Sequence, residues 1–244
     1  MHPILLRWGP WTLYSYGGMV AVGFLIASRW VGRSASSAGL NRSQVQNLAL
    51  TVLLAGFLGA RVMYVALNIP FYQADWREVF RLDHGGLVFY GGLMAGLAAV
   101  FWSIHRNRLP FWVTMDLLVP PAVLAHAFGR VGCFLNGCCY GKPASVPWAV
   151  AFPWEGIPRH PTALYEAVFL GALSVLLEFF RRRNPQPGRV LWVYGLAYGT
   201  WRFSVEFLRG DNPVVGGGLT LFQWWSLLLA VVCAWLILRR IPSR

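Results

Sequence analysis

The chain has 244 residues, of which 57% are hydrophobic and only 12% charged, with 13 Trp and 16 Phe and a mean hydropathy of +0.50. A water-soluble domain of this length needs far more polar surface, so the composition excludes that class and points to a polytopic membrane protein. The formal charge of +12 does not mark a nucleic-acid binder, because the basic residues are scattered between apolar runs instead of gathered on one face.

Seven apolar segments approach the length needed to cross a hydrocarbon core of roughly 30 Å. They are Tyr14–Val31, Val45–Asn68, Gly86–His105, Trp112–Leu135, Thr162–Phe180, Val190–Leu208 and Leu219–Leu238. The first follows Arg7, Trp8 and Trp11 without a basic leader or a small-residue cleavage site, so no cleaved signal peptide is expected. The longest connection, from about Asn136 to Pro161, is rich in Pro, Trp and Gly and is expected to form a small ordered cap. No internal repeat or long linker divides the chain. It reads as a single all-α integral membrane domain of about seven transmembrane helices.

Basic loops are retained on the cytoplasmic side. Connections after segments one, three, five and seven hold twice as many Lys and Arg as the opposite side, the last including Arg240 and Arg244, whereas Asp75, Glu78, Asp83, Glu155 and Asp211 fall opposite. The N-terminus is therefore expected outside and the C-terminus in the cytoplasm.

With that orientation the intramembrane charges share a depth. Arg61, Arg130, Arg202 and Glu206 fall in outer halves of their segments, together with Tyr14, Tyr16, Tyr90, His160, Tyr165, Glu166 and Tyr198. Asp116 and Glu178 lie toward the other end. Tyr198, Arg202, Glu206 and Arg209 are spaced by four, four and three residues, which places them on one helical face. Arg202 and Glu206 could simply neutralise each other. The arginines of the whole slab, Arg61, Arg130, Arg202 and Arg209, outnumber Glu166 and Glu206, and an anionic ligand is the simplest missing partner. A guanidinium suits phosphate because its planar fork gives parallel donors and stays charged. At this depth the phosphate is that of a phospholipid headgroup.

The fourth segment closes on FGRVGCFLNGCCYG, Phe128 to Gly141. Its glycines let the backbone leave the helix and approach a ligand, and Asn136 adds a neutral amide donor. Non-helical backbone at this depth must be buried in protein or line a cavity, so a folded-back loop is expected. Cys133, Cys138 and Cys139 admit three readings: metal ligands with His160 the one obvious fourth, a disulfide, or small packing residues. Cys233 reads as packing.

The motifs SYGGMVAVGF, GGLVFYGGL, GRVGCFLNGCCYG, RHPTALYEA and YGTWRFSVEFLRGD together resemble the bacterial phosphatidylglycerol–prolipoprotein diacylglyceryl transferase family over nearly the whole chain. The resemblance implies seven transmembrane helices with an outward N-terminus, in the bacterial cytoplasmic (inner) membrane, with the active site toward the outer leaflet. It also implies transfer of a diacylglyceryl group from phosphatidylglycerol to the lipobox cysteine of a prolipoprotein signal peptide. Arg130 and Arg202 are then expected to stabilise the leaving phosphate, with Tyr90 and His160 as candidates for proton transfer. Tyr16, Arg61, Asn136, Gly141, Tyr198, Glu206 and Arg209 are expected to bind substrate. Neither a cofactor nor a metal is expected. This chain has Tyr90 where well-known members carry His, and Cys133 and Cys138 where an Asn and a Glu are usual. Two other readings are an anion or lipid transporter or binding protein, and a family member with another donor or thiol acceptor.

Overall fold

The computed structural model describes residues 1–9, 11–81, 86–152, 156–183 and 186–239. Asp83, Gly85, Glu155, Arg240 and Arg244, used in the sequence reading, lie outside these residues. The chain forms two compact units, Ser28–Thr114 and a larger one made of Met1–Ala27 with Met115–Arg244.

An N-terminal hairpin of β1 (Ile4–Trp8) and β2 (Trp11–Tyr14) leads into α1 (Ser15–Ser34). The smaller unit contains α2 (Arg42–Leu67), α3 (Ile69–Ala74) and α4 (Phe89–Arg106). Asn41 caps α2, its Oδ1 accepting from the Ser43 amide at 2.9 Å. Helices α2 and α4 touch through glycine: a Cβ added to Gly59 would stand 2.6 Å from the Gly91 carbonyl oxygen. Small residues at such crossings let backbones approach where lipid removes the hydrophobic drive between helices.

The larger unit adds most of α5 (Phe111–Asn136), β3 (Val150–Ala151), β4 (Pro158–Arg159), α6 (Thr162–Arg183), α7 (Arg189–Glu206), β5 (Val214–Gly216), β6 (Leu219–Thr220) and α8 (Leu221–Leu238). Its core is Val119, Val123 and Ala127 of α5, Leu170, Leu173 and Leu177 of α6, and Val190 of α7, a spacing of three and four that aligns one face of each helix. Pro120 and Pro121 interrupt the ladder of α5, and Ser174 of α6 donates to the Pro120 carbonyl at 2.9 Å. Asp116 caps α7 from a distance, accepting from the Gly188 and Leu191 amides at 2.6 and 3.0 Å. At the seam between α7 and α8, a Cβ on Gly199 would lie 2.9 Å from the Ser226 carbonyl, and Cys233 is buried there as a packing residue.

Large apolar side chains such as Val168 and Leu238 are 74% and 82% exposed, which suits hydrocarbon and not water. Helices α2, α5, α6 and α8 are long and apolar enough to cross a membrane. The other three long helices, α1, α4 and α7, have 20, 18 and 18 residues and carry more glycine, tyrosine or charge.

Candidate functional site

Helix α5 ends in a Schellman turn. Gly137 adopts φ +76°, its amide donates to Phe134 O at 3.0 Å, and the Cys138 amide donates back to Cys133 O at 3.0 Å. The chain then reverses: Gly141 N donates to His160 O at 2.9 Å, Lys142 N to Leu208 O at 2.7 Å, and Arg159 Nη1 to Gly141 O at 3.2 Å. Gly141 is confined to glycine, because a Cβ there would lie 2.7 Å from both His160 Cβ and Leu208 O. The loop expected from the glycines is thus folded against the end of α7 and the entrance of α6.

Beside it, three groups converge on one oxygen. Oε1 of Glu166, a side chain 1% exposed, meets Arg130 Nη2 at 3.1 Å, accepts from the Tyr198 hydroxyl at 3.1 Å and lies 4.0 Å from His126 Nε2. Arg130 Nε donates to His126 Nε2 at 3.2 Å. A guanidinium only donates, so this imidazole is neutral with its proton on Nδ1. His126, one turn before Arg130, has no place in the sequence reading; the i,i+4 spacing to Arg130 was its only signal.

Arg202 meets Glu206 at 2.5 Å and lies over the Phe222 ring, 5.2 Å from its centroid. The other oxygen of Glu206 accepts from Asn212 Nδ2 at 2.7 Å and Thr220 Oγ1 at 2.8 Å. Thr220 is also the N-cap of α8, in a capping box with Gln223. Arg209 grips Asp211 with two bonds of 3.0 and 2.5 Å and lies 3.8 Å from Glu206. Burial works against the Arg209 charge, yet Asp211, and then the Cys139 sulfur, hold it above the ordinary guanidinium range.

Arg130 and Arg202 share surroundings: both act electrostatically on His126 and on Tyr198. The backbone of Tyr16 is reached closely by Gly132, where a Cβ would lie 3.1 Å from Tyr16 Cα. His160 turns Nδ1 to the Tyr165 hydroxyl at 3.2 Å, which in turn accepts from Trp148 Nε1 at 2.7 Å. Asn136, the last residue of α5, is exposed.

Two candidates belong to the smaller unit. Arg61 is buried and donates to the carbonyls of Val79, Gly86, Glu78 and Arg81 at 2.7 to 3.1 Å, between the rings of Tyr64 and Tyr72. Tyr90 is exposed in the first turn of α4, edge-on to Phe89. The cationic excess expected from the sequence is smaller in the structure, because Arg61 is committed to backbone oxygens and Asp211 joins Arg209. What the cluster can offer an anion is therefore limited to the guanidinium edges left over from the ion pairs.

The Cys133, Cys138 and Cys139 sulfurs lie within 4.8 Å of one another. Cys139 has φ +60°, uncommon for a residue with a side chain, and its carbonyl accepts from Thr162 Oγ1 at 2.7 Å. The thiols of Cys133 and Cys138, followed by the charges of Arg209 and Arg130, hold the Cys139 thiol well below its usual range.

Long apolar helices carrying a buried arginine–carboxylate cluster define a helical membrane protein with a polar site. The chain belongs to the prolipoprotein diacylglyceryl transferase family, whose model matches residues 3–239. It is 33% identical over 237 residues to a phosphatidylglycerol–prolipoprotein diacylglyceryl transferase of Clostridium tetani, covering 95% of each chain. Proteins of the same name from Bordetella parapertussis and Nitratidesulfovibrio vulgaris are each 35% identical, over 100% and 98% of this chain and 98% and 94% of theirs. The family resemblance drawn from the motifs is borne out.

Proposed function

We propose that the chain transfers the sn-1,2-diacylglyceryl group of phosphatidylglycerol to the lipobox cysteine thiol of a prolipoprotein, releasing glycerol phosphate. It works in the bacterial cytoplasmic membrane with α1, α2 and α4 to α8 as seven spans, the N-terminus outside and the site toward the outer leaflet. The S–C bond to the glyceryl carbon forms as the C–O bond to phosphate breaks, and the electron pair leaves with the phosphate. Arg130 and Arg202 receive that charge.

The observation that carries this reading is a pair of guanidinium groups: Arg130 on α5, tied to His126 and through Glu166 to Tyr198, and Arg202, one turn after Tyr198 on α7. Each is held by a buried carboxylate on part of its fork, and among the described residues the remaining N–H groups of Arg130 and Arg202 meet no acceptor. Donors fixed before the reaction in a water-poor site stabilise developing charge without reorganising. Asn136, Gly141, Tyr16 and Tyr198 line the headgroup, and Glu206 and Arg209 hold Arg202 and the loop in place. Arg61 holds the loop that follows α3. Tyr90 and His160 remain the candidates for the thiol proton.

An apolar groove between α6 and α7, about 440 Å³ and lined by Phe169, Val193, Leu196, Ala197 and Trp201, has the chemistry to take an acyl chain. Trp201 keeps a buried Nε1–H without an acceptor among the described residues; an ester carbonyl would supply one.

The test is direct. Purified protein mixed with phosphatidylglycerol and a lipobox peptide should add one diacylglyceryl mass to the peptide, and Arg202→Ala should lower turnover by about 100-fold or more, the scale of losing one preorganised donor. A peptide that stays unmodified across detergents, or full turnover by Arg202→Ala, counts against the assignment.

A further inference from the structure

Each carboxylate or imidazole beside Arg130 already accepts a hydrogen bond or an ion pair. Glu166 takes Arg130 and Tyr198, Glu206 takes Arg202, Asn212 and Thr220, and Nε2 of His126 takes Arg130. A substrate thiol has a pKa of about 8.5, and only its thiolate attacks carbon well. Something in the site has to make that thiolate.

The cysteine cluster offers a way. The Schellman turn brings Cys138 back onto Cys133, and Thr162 fixes the Cys139 carbonyl, so the backbone already presents three sulfurs within 4.8 Å of one another. Around a tetrahedral zinc ion with Zn–S bonds of about 2.3 Å, sulfurs stand about 3.8 Å apart. Rotation about the side-chain bonds closes that difference. Among the described residues no carboxylate or imidazole joins the three sulfurs, so a bound ion keeps its fourth position open, as catalytic zinc does and structural zinc does not. Arg130 and Arg209 lie close enough to act on the Cys139 sulfur, and their charge offsets that of three thiolates. They are cations and cannot compete as ligands.

We propose that Cys133, Cys138 and Cys139 bind a thiophilic divalent ion, zinc, whose open position takes the acceptor thiol of the lipobox peptide and holds it as a thiolate. The proposal rests on the transferase reading. Coordination deprotonates a thiol outright, so a weak acceptor, His160 or solvent, suffices to carry the proton away. The sulfur then forms its bond to the glyceryl carbon, the C–O bond to phosphate breaks, and no electron is gained or lost overall. The thioether product is a poorer ligand than the thiolate, which favours release.

The experiment uses the full chain in detergent, reduced and stripped with a chelator. Zinc added alone should remain after dialysis at one ion per chain. Cobalt added alone should give a sulfur-to-cobalt charge-transfer band. Cys133→Ser, Cys138→Ser and Cys139→Ser should each weaken binding by at least the roughly 10–100-fold lost when even an outer-shell partner is removed. A lipobox peptide should intensify the cobalt band, and the same peptide with serine for cysteine should not. The proposal is overturned if the unmodified chain retains no more zinc than the triple serine variant, if the peptide thiol leaves the cobalt spectrum unchanged, or if the active protein contains a disulfide among these cysteines. Full transfer by stripped protein overturns the ion's role while leaving the transferase reading intact. Zinc and cobalt binding without transfer to any lipobox peptide overturns that reading, and the ion's role with it.

Discussion

Arg130 of α5 and Glu166 of α6 meet at 3.1 Å, with the carboxylate side chain 1% exposed. Removing one partner of a buried pair leaves an uncompensated charge and costs about 3–5 kcal/mol. Glu166→Ala should therefore lower the thermal midpoint in detergent by several degrees and abolish transfer, and Arg130→Met combined with Glu166→Met should recover much of the stability but none of the activity. An unchanged midpoint in Glu166→Ala would show that the two groups do not depend on each other.

His126 orients Arg130 through one bond to Nε at 3.2 Å. Glutamine keeps an acceptor at that position and leucine does not. His126→Gln should retain most of the transfer rate. His126→Leu should lose about 10–100-fold, the equivalent of the 1.5–3 kcal/mol carried by a hydrogen bond to a charged group. Equal rates for the two variants would mean that Arg130 is positioned by Glu166 alone.

Two glycines of the same motif should respond oppositely to alanine. At Gly141 the new Cβ would lie 2.7 Å from His160 Cβ and Leu208 O, whereas at Gly129 nothing stands within 4 Å. Gly141→Ala should cost about 1–3 kcal/mol as the loop is forced outward, and Gly129→Ala in its helix should be neutral or stabilising by about 0.5–1 kcal/mol. Denaturation midpoints of the two variants measured side by side decide this.

Arg61 provides a fork to four carbonyls after α3. Lysine keeps the charge but cannot span them. Arg61→Lys should speed hydrogen exchange at the Val88 amide, which donates to Ala60 O at 3.0 Å, and lower stability by at least about 1.5 kcal/mol, with the KM for phosphatidylglycerol unchanged. A raised KM with unchanged exchange would return Arg61 to the ligand.

The long helices were legible because a run of apolar residues is a one-dimensional signal. Thr162–Phe180 and Leu219–Leu238 from the sequence correspond closely to Thr162–Arg183 and Leu221–Leu238 in the structure. The segment expected from Gly86 begins as helix only at Phe89, since Val88 is drawn to Ala60 by a backbone bond that no local pattern announces. The hairpin of β1 and β2 escaped notice for a similar reason: short strands are defined by their partners. Within the site, the Arg202 and Glu206 pair follows from helical spacing, and the folded-back loop follows from its glycines. His126 hid in an apolar run, and the fate of Arg61 depended on carbonyls up to 25 residues away. Which cation meets which acceptor is a three-dimensional fact.

Glu206 draws two of its hydrogen bonds from Asn212 and Thr220, residues that lie after α7 and lead into α8. During synthesis, a chain halted before Thr220 leaves that carboxylate, and the arginine it restrains, short of partners inside the bilayer. Docking of α8 and the restraint of Arg202 are therefore coupled, so a lesion in the turn between α7 and α8 reaches the arginine cluster as well.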